Sequence, residues 1–320
     1  MDIVCLGEVL IDMFATEMGK KMTEVESFTP KPGGAPANVA VAARRLGAET
    51  AFIGKVGDDL FGYHLENVLQ NEGVQTHGMR FDHYARTTMA FIAKPDENTA
   101  EFVFYRNPGA DTQLKTEELD LELIRSTKCL HFGSLSLNEE PSRSATLQAI
   151  EVARSENALI SFDVNYRPTL WENHMQAYDT VMSVVPHANL LKVNETELEL
   201  LTGSEQLETA PEKLLDLGPE LIIVTLGSKG SYFRIEEGGN FIDAFKVNTV
   251  DAVGCGDAFF AGLLTQLLKS QNWRECLTID RMQSVLKYAN AVGAITALTL
   301  GVIPALPYAN QVEEFLSNKE

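Results

Sequence analysis

In the last third of the chain, Asp251-Ala-Val-Gly-Cys-Gly-Asp257 runs directly into the apolar stretch AFFAGLLTQLL. Gly254 and Gly256 free the backbone just before a helix N-terminus, where several N–H groups point outward without partners. Such a nest attracts an oxyanion and would stabilise the charge that develops on a phosphoryl group in transfer. Asp257 stands beside it. An aspartate at a helix start also reads as an N-cap, but a cap requires neither two glycines nor a second aspartate six residues upstream. A second constellation, Pro32-Gly-Gly-Ala-Pro-Ala-Asn38, leads into another helix. Adjacent glycines let a backbone approach a ligand closely, and Asn38 offers both donors and an acceptor. Taken alone, it reads equally as a tight loop before a capped helix.

These motifs must be positioned by the elements around them. Short β-branched runs alternate with helical stretches. Ile3 to Leu6, Thr50 to Val56, Cys129 to Phe132, Leu159 to Asp163, Leu190 to Val193 and Leu221 to Thr225 read as strands. Ala37 to Leu46, Asp59 to Glu72, Ser142 to Glu156, Ala258 to Leu268 and Met282 to Ala297 read as helices. That alternation implies a mostly parallel sheet covered on both faces, a three-layer α/β/α domain. Met13 to Lys31 and Thr87 to Arg106 break the rhythm and alternate polar with apolar residues instead. They are expected to form a small β-sheet, a lid of residues 13–31 and 87–106 inserted into a main domain of 1–12, 32–86 and 107–320. Phe102, Phe104 and Tyr105 belong to that segment, either lining a pocket or filling a strand's buried face.

Composition narrows the function. Lys and Arg number 26 against 45 Asp and Glu, a formal charge of -19. That field repels nucleic-acid backbones and anionic membrane surfaces, so neither partner is expected. Four scattered cysteines form no C-x-x-C pair and the six histidines show no ligand spacing, which points to a reducing cytoplasm without a zinc site. The opening MDIVCLGEVLIDMF lacks the features of a signal peptide. The uncharged stretch between Lys287 and Glu313 is interrupted by Asn290, Gly301, Pro304 and Pro307, and reads as a buried helix and loop rather than a membrane span.

The two glycine motifs, in this order, resemble the signature regions of the ribokinase-like (PfkB) sugar kinases. FIGKVGDDLFG, FYRNPGAD, GSLSLNEEPSR, DVNYRPTLW, KVNETELELLTG and GVIPALP are similar to segments of the fructokinase branch, so the resemblance runs nearly end to end. It implies ATP and Mg²⁺ as co-substrate and metal. It makes Asp257 the base that takes the proton of a sugar hydroxyl, which suits a carboxylate beside an anion hole. Gly254, Cys255 and Gly256 would supply that hole from their backbone. Asp12, at the end of the first strand, would hold sugar hydroxyls, with Gly33, Gly34 and Asn38 as the loop against which the sugar lies. Arg106 is implied near the sugar and Arg167 near the phosphates, where a planar fork donates two parallel bonds. Asn194 and Glu197, the N-x-x-E pair, would organise Mg²⁺ through its water shell. Lys192, Thr225, Gly227 and Gly230 resemble nucleotide-side segments, and Asn290 resembles the region lining the adenine pocket.

Ala252 and Cys255 depart from the common form of the second signature, which has Thr and Ala there. The backbone donors are unchanged, but a K⁺ site involving Asp251 becomes uncertain. Cys255 is either a reactive thiol or, preferably, a small space-filling substitute. The resemblance also implies a homodimer paired through the lid. Fructose is the expected substrate, with 2-keto-3-deoxygluconate as the rival, since Arg106 and Arg167 could serve a carboxylate. A catalytically silent sugar- or nucleotide-binding scaffold is the alternative from another class. A dinucleotide oxidoreductase is set aside because Gly7-Glu-Val-Leu-Ile-Asp12 follows the first strand where G-x-G-x-x-G would be needed.

Overall fold

The structure is a computed structural model that describes residues 1–96, 99 and 101–319. Its strands are β1 (Ile3–Leu6), β2 (Leu10–Ala15), β3 (Phe28–Gly33), β4 (Thr50–Gly57), β5 (Gln75–Asp82), β6 (Met89–Ala93) and β7 (Glu101–Tyr105), then β8 (Cys129–Gly133), β9 (Leu159–Asp163), β10 (Leu190–Asn194), β11 (Leu221–Thr225), β12 (Gly230–Ile235) and β13 (Gly238–Asp243). The helices are α1 (Ala35–Arg45), α2 (Leu60–Asn71), α3 (Leu121–Arg125), α4 (Ser142–Ser155), α5 (His174–Val184), α6 (Glu195–Thr202), α7 (Ala210–Leu215), α8 (Cys255–Leu267), α9 (Ile279–Thr296), α10 (Val302–Ala305) and α11 (Ala309–Ser317).

Nine strands form one sheet in the order β13-β12-β11-β10-β9-β8-β1-β4-β5, parallel except for the β11–β12 and β12–β13 pairs. Both faces are buried, so its inner strands read as mainly apolar runs. Period two sorts each run between two cores. Ile3 and Cys5 of β1 pack with α1, α8 and α9, while Val4 and Leu6 pack with α4 and α5 residues on the other face. β11 divides likewise, Leu221 and Ile223 to one side, Ile222 and Val224 to the other. The result is three layers, α/β/α.

A second sheet has four strands in the order β3-β2-β6-β7. Its extent differs from the sequence-based expectation at two edges. Leu10–Asp12 and Pro32–Gly33, assigned above to the main domain, lie within β2 and β3 and pair with each other, Leu10 opposite Gly33. Asp12 therefore does not end the first strand, which stops at Leu6; it sits inside β2. Gly7 causes the break, because its φ of 148° lies outside the range an L side chain readily adopts. Strands β5, β12 and β13 were not anticipated either, being interrupted by polar residues and glycine. The apolar stretch after Lys287 is the end of α9 followed by α10 and a loop. Among the described residues, no helix is long and apolar enough to cross a membrane.

Along the main sheet, β1 is flanked by β4 on one side and β8 on the other, so the chain order reverses at β1–β8. A crevice opens outside the C-terminal ends of parallel strands at such a point. Gly7-Glu8 after β1, Leu135 after β8, Asn165 and Arg167 after β9, Asn194 ending β10 and Thr225 ending β11 all reach it. The small sheet covers that crevice, with Ala90 and Ile92 of β6 and Phe102 and Phe104 of β7 facing in.

Candidate active site

The covered crevice is a cavity of about 430 Å³, large enough for a small polar ligand. At its floor, α8 begins. Gly254 is the residue before the helix, in the left-handed region at φ 79°. A Cβ there would stand 2.3 Å from Val302 Cγ1, so the turn that aims the helix N-terminus at the cavity requires glycine. Gly256 differs: a Cβ would meet only Lys192 Nζ, at 3.6 Å, and its role is to leave cavity space. Gly254 and Gly256 line the cavity, as the anion hole requires. Cys255 does not. Its N–H leans toward the Ala252 carbonyl at 3.3 Å and its Sγ toward the Asp251 carbonyl. Burial, then Asp251 and Asp257, push the thiol up to about 12, so it is an inert space-filler.

Asp257 lies in the first turn of α8 and is not its cap. Asn38, on α1, donates from Nδ2 to Asp257 Oδ2 at 2.8 Å, across 219 positions of sequence. The two signature motifs thus meet through one hydrogen bond. Burial pushes the Asp257 carboxyl up to about 6, against the Asn38 bond and the cations Lys192 and Arg167. The carboxyl is therefore mainly ionised at neutral pH and still close to the range of a useful base.

Asp12 faces the same space from β2 and is buried. Burial foremost, with the Asp257 charge second, pushes it up to about 7. Its room comes from Gly33, diagonally across the strand pair, where a Cβ would fall 1.9 Å from Asp12 Oδ2. Gly34, at φ 107°, lies against the Glu8 carbonyl, which a Cβ would meet at 2.5 Å. The GG pair of the first motif is thus needed twice, once for a side chain and once for the backbone.

Arg167 lines the cavity and lies over the Phe102 ring, 5.8 Å from its centroid. Lys192, on β10, lines it too, its Nζ held 2.9 Å from both oxygens of Asp163. Asn194 and Glu197 form a capping box at the start of α6. Asn194 Oδ1 accepts from Glu197 N–H, and Glu197 Oε2 accepts from Asn194 N–H, each at 2.8 Å. Glu197 Oε1 accepts from Tyr166 N–H at 2.7 Å, which ties α6 to the loop bearing Arg167. The N-x-x-E pair is a structural cap that also borders the cavity. Thr225 lines the same end.

Besides Cys255, Gly33 and Asp251, four more expected site residues do not line the cavity. Arg106 is fully committed. Its Nε donates to Asp111 at 2.7 Å, Nη1 to Asn138 Oδ1 at 3.0 Å and Nη2 to the Leu135 carbonyl at 2.9 Å, so its fork braces the wall from behind. Asn290 is buried between α9 and the β12–β13 hairpin, bonded to Ser231, Ile242 and Asp243. Gly227 and Gly230 shape the turn into β12, and a Cβ on Gly230 would meet the Ile242 carbonyl at 2.1 Å. None of the four lines the cavity. Asp251 sits behind the anion loop, wholly buried and paired with Lys94.

Two charged cavity residues escaped the sequence reading. Glu8 is buried, accepts from Ala35 N–H at 3.1 Å through Oε1, and has no partner on Oε2. Lys94, at the end of β6, is the other. Asn38 Oδ1 is likewise buried without a partner. Unpaired acceptors in a cavity with Asp12 and Asp257 suit a ligand rich in hydroxyl donors. Among the described residues, no group of three or more His, Cys, Asp or Glu is placed to hold a metal ion.

The comparisons with known proteins agree with this geometry. The family model "pfkB family carbohydrate kinase" matches residues 1–309. The chain is 44% identical to "Probable fructokinase-2" of Arabidopsis thaliana, over 98% of this chain and 95% of that one. Among solved structures, the fructokinase of Xylella fastidiosa with bound ATP has a TM-score of 0.89 at 29% identity, covering 99% of this chain and 98% of the other. A double-mutant fructokinase of Vibrio cholerae O395, in a form with fructose, ADP and potassium ion bound, has a TM-score of 0.88 at 31% identity, with 98% of each chain covered. With the two signature loops joined at the Asn38–Asp257 bond and a family match along almost its whole length, the chain belongs to the pfkB family of carbohydrate kinases.

Proposed function

We propose that this protein transfers the γ-phosphoryl group of ATP to the 6-hydroxyl of fructose, giving fructose 6-phosphate and ADP. The observation that carries the reading is the 2.8 Å bond by which Asn38 fixes Asp257 at the mouth of the α8 N-terminus. Asp257 takes the hydroxyl proton as the new O–P bond forms and the bond to the β-phosphate oxygen breaks. The first-turn N–H groups of α8 and the Arg167 guanidinium hold the charge on the transferring group. Asp12, Glu8 and Asn38 hold the remaining sugar hydroxyls. Magnesium, arriving with ATP, would neutralise phosphate charge. Glu197 keeps a second lone pair on each oxygen for metal-bound water, which suits an ion that retains its waters.

The cavity favours a neutral ketose over 2-keto-3-deoxygluconate. Four carboxyl groups, Glu8, Asp12, Glu197 and Asp257, border the space, and a substrate carboxylate would be repelled by them. Arg106, which could have paired with such a group, is already bound to Asp111. The intact base and anion nest likewise speak against a silent scaffold. Coupling the product to glucose-6-phosphate isomerase and dehydrogenase tests the reading. Fructose should yield reduced nicotinamide, with 2-keto-3-deoxygluconate, ribose and adenosine at least about tenfold slower by ADP release. Faster ADP release on any of those three would transfer the specificity to that substrate.

Two copies are expected to pair through the outer face of the small sheet. Phe102 and Phe104 face the cavity, so Val103 and Tyr105 face out, 43% and 63% exposed. They continue an aromatic row in which Phe91 lies 5.2 Å from Tyr105 and 5.0 Å from Phe28. Such a sheet is apolar on both sides. Sedimentation velocity should give a species of twice the chain mass, shifted toward the monomer by Tyr105→Glu. A monomer at all concentrations would remove this part of the reading. The cysteines are unpaired, which suits a reducing cytoplasm.

A further inference from the structure

Lys94 stands where the small sheet meets the anion-binding loop. It follows the last residue of β6, borders the cavity, and its Nζ lies 2.6 Å from Asp251 Oδ1. Asp251 opens the loop that ends at Asp257. Its carboxylate is wholly buried, whereas the Lys94 side chain keeps 21% exposure. Main-chain donors complete the carboxylate. Val253 N–H binds Oδ1 at 3.1 Å, and Gly301 N–H binds Oδ2 at 3.1 Å.

Two N–H groups satisfy lone pairs but do not cancel a full charge. A buried carboxylate without a cation is costly, and here it would also set a negative charge behind the backbone that must receive a phosphoryl group. A cation at Asp251 is therefore a requirement of the anion hole. The Vibrio cholerae relative is described in a form with potassium ion bound, and the resemblance drawn from sequence puts such an ion at the Asp251 position. This chain does not fit that ion well. The carboxylate already receives an ammonium and two N–H groups, and Ala252 has no hydroxyl to add to a coordination shell.

We propose that Lys94 is the monovalent cation of this site. It is a positioning residue, supplied by the small sheet, that neutralises Asp251 and frees the protein from a need for added potassium. Because the cation rides on the sheet that covers the cavity, the anion loop is neutralised only when that sheet is in its covering position. Cover and catalytic readiness are thereby linked through one ion pair.

The inference rests on the sugar-kinase reading, so its test has one arm that needs no turnover. Melting temperatures of the wild type, Lys94→Met and Lys94→Arg are compared in potassium chloride and in choline chloride at equal ionic strength. Potassium should raise the melting temperature of Lys94→Met and leave the wild type and Lys94→Arg unchanged. In the second arm, ADP release with fructose should be the same in both salts for the wild type. For Lys94→Met it should fall about tenfold or more in choline and recover in part with potassium. A potassium-specific shift or activation in the wild type would overturn the proposal. So would a loss in Lys94→Met that potassium does not restore, or no loss at all. Should fructose not be a substrate, the melting arm still decides.

Discussion

Glu8, Asp12 and Asp257 share one side of the cavity, and burial pushes their carboxyl groups up to about 7, about 7 and about 6. Each folded-state value lies above the ordinary one, so the folded protein binds these protons more tightly than the unfolded chain. Their contribution to stability is fully present below the unfolded values near pH 4 and is lost as pH rises through the folded values, between about 6 and 7. At neutral pH the site therefore destabilises the fold in exchange for ionised carboxylates. Asp12→Asn should melt higher than the wild type at pH 8, approach it near pH 4, and lose most of kcat/KM for fructose. Melting below the wild type at pH 8 would mean that Asp12 is held by something other than the burial and charge described here. Asp12, Asn38, Asp257 and Arg167 were legible because they stand in motifs. Glu8 was not, since a lone Gly-Glu after a strand carries no signal until Ala35 N–H and an orphaned Oε2 define its surroundings. Lys94 was hidden for another reason: its partner lies 157 positions away. Arg106 misled because an arginine after an aromatic strand looks the same whether it faces a ligand or braces a wall.

At the scale of elements, the parallel core strands could be read directly. β1 and β11 are buried on both faces and present uninterrupted apolar residues between polar ends. The antiparallel strands β12 and β13 could not: Gly238, Gly239 and Asn240 weaken the pattern of β13, and pairing of β12 with β11 and of β13 with β12 is what makes them strands. The small sheet was visible as alternation, but its true start was not. Leu10 to Phe14 continues the apolar run of β1, and the change of sheet depends on the backbone of Gly7. The capping box of Asn194 and Glu197 shows the same ambiguity from the other side. One tetrapeptide caps the start of a helix and borders the cavity, and nothing in its composition separates the two roles.

For the molecule as a whole, the reversal of strand order at β1–β8 decides where chemistry can occur, and the second sheet decides that it occurs out of water. A formal charge of -19 repels a polyphosphate at long range. Arg167, Lys192 and Lys94 border the cavity and supply local cations that a bound polyphosphate can use against that field. These features are the ground for the chemical event proposed above, the passage of a sugar proton to Asp257 at the N-terminus of α8. The most direct measurement is single-variant kinetics on Asp257→Asn, with ADP release followed at saturating fructose and ATP and fructose binding followed by calorimetry. Turnover should fall by about 10²–10⁴-fold while fructose still binds, because the variant keeps the shape of the site and lacks the base. Turnover within about tenfold of the wild type would contradict the assignment of Asp257 as that base.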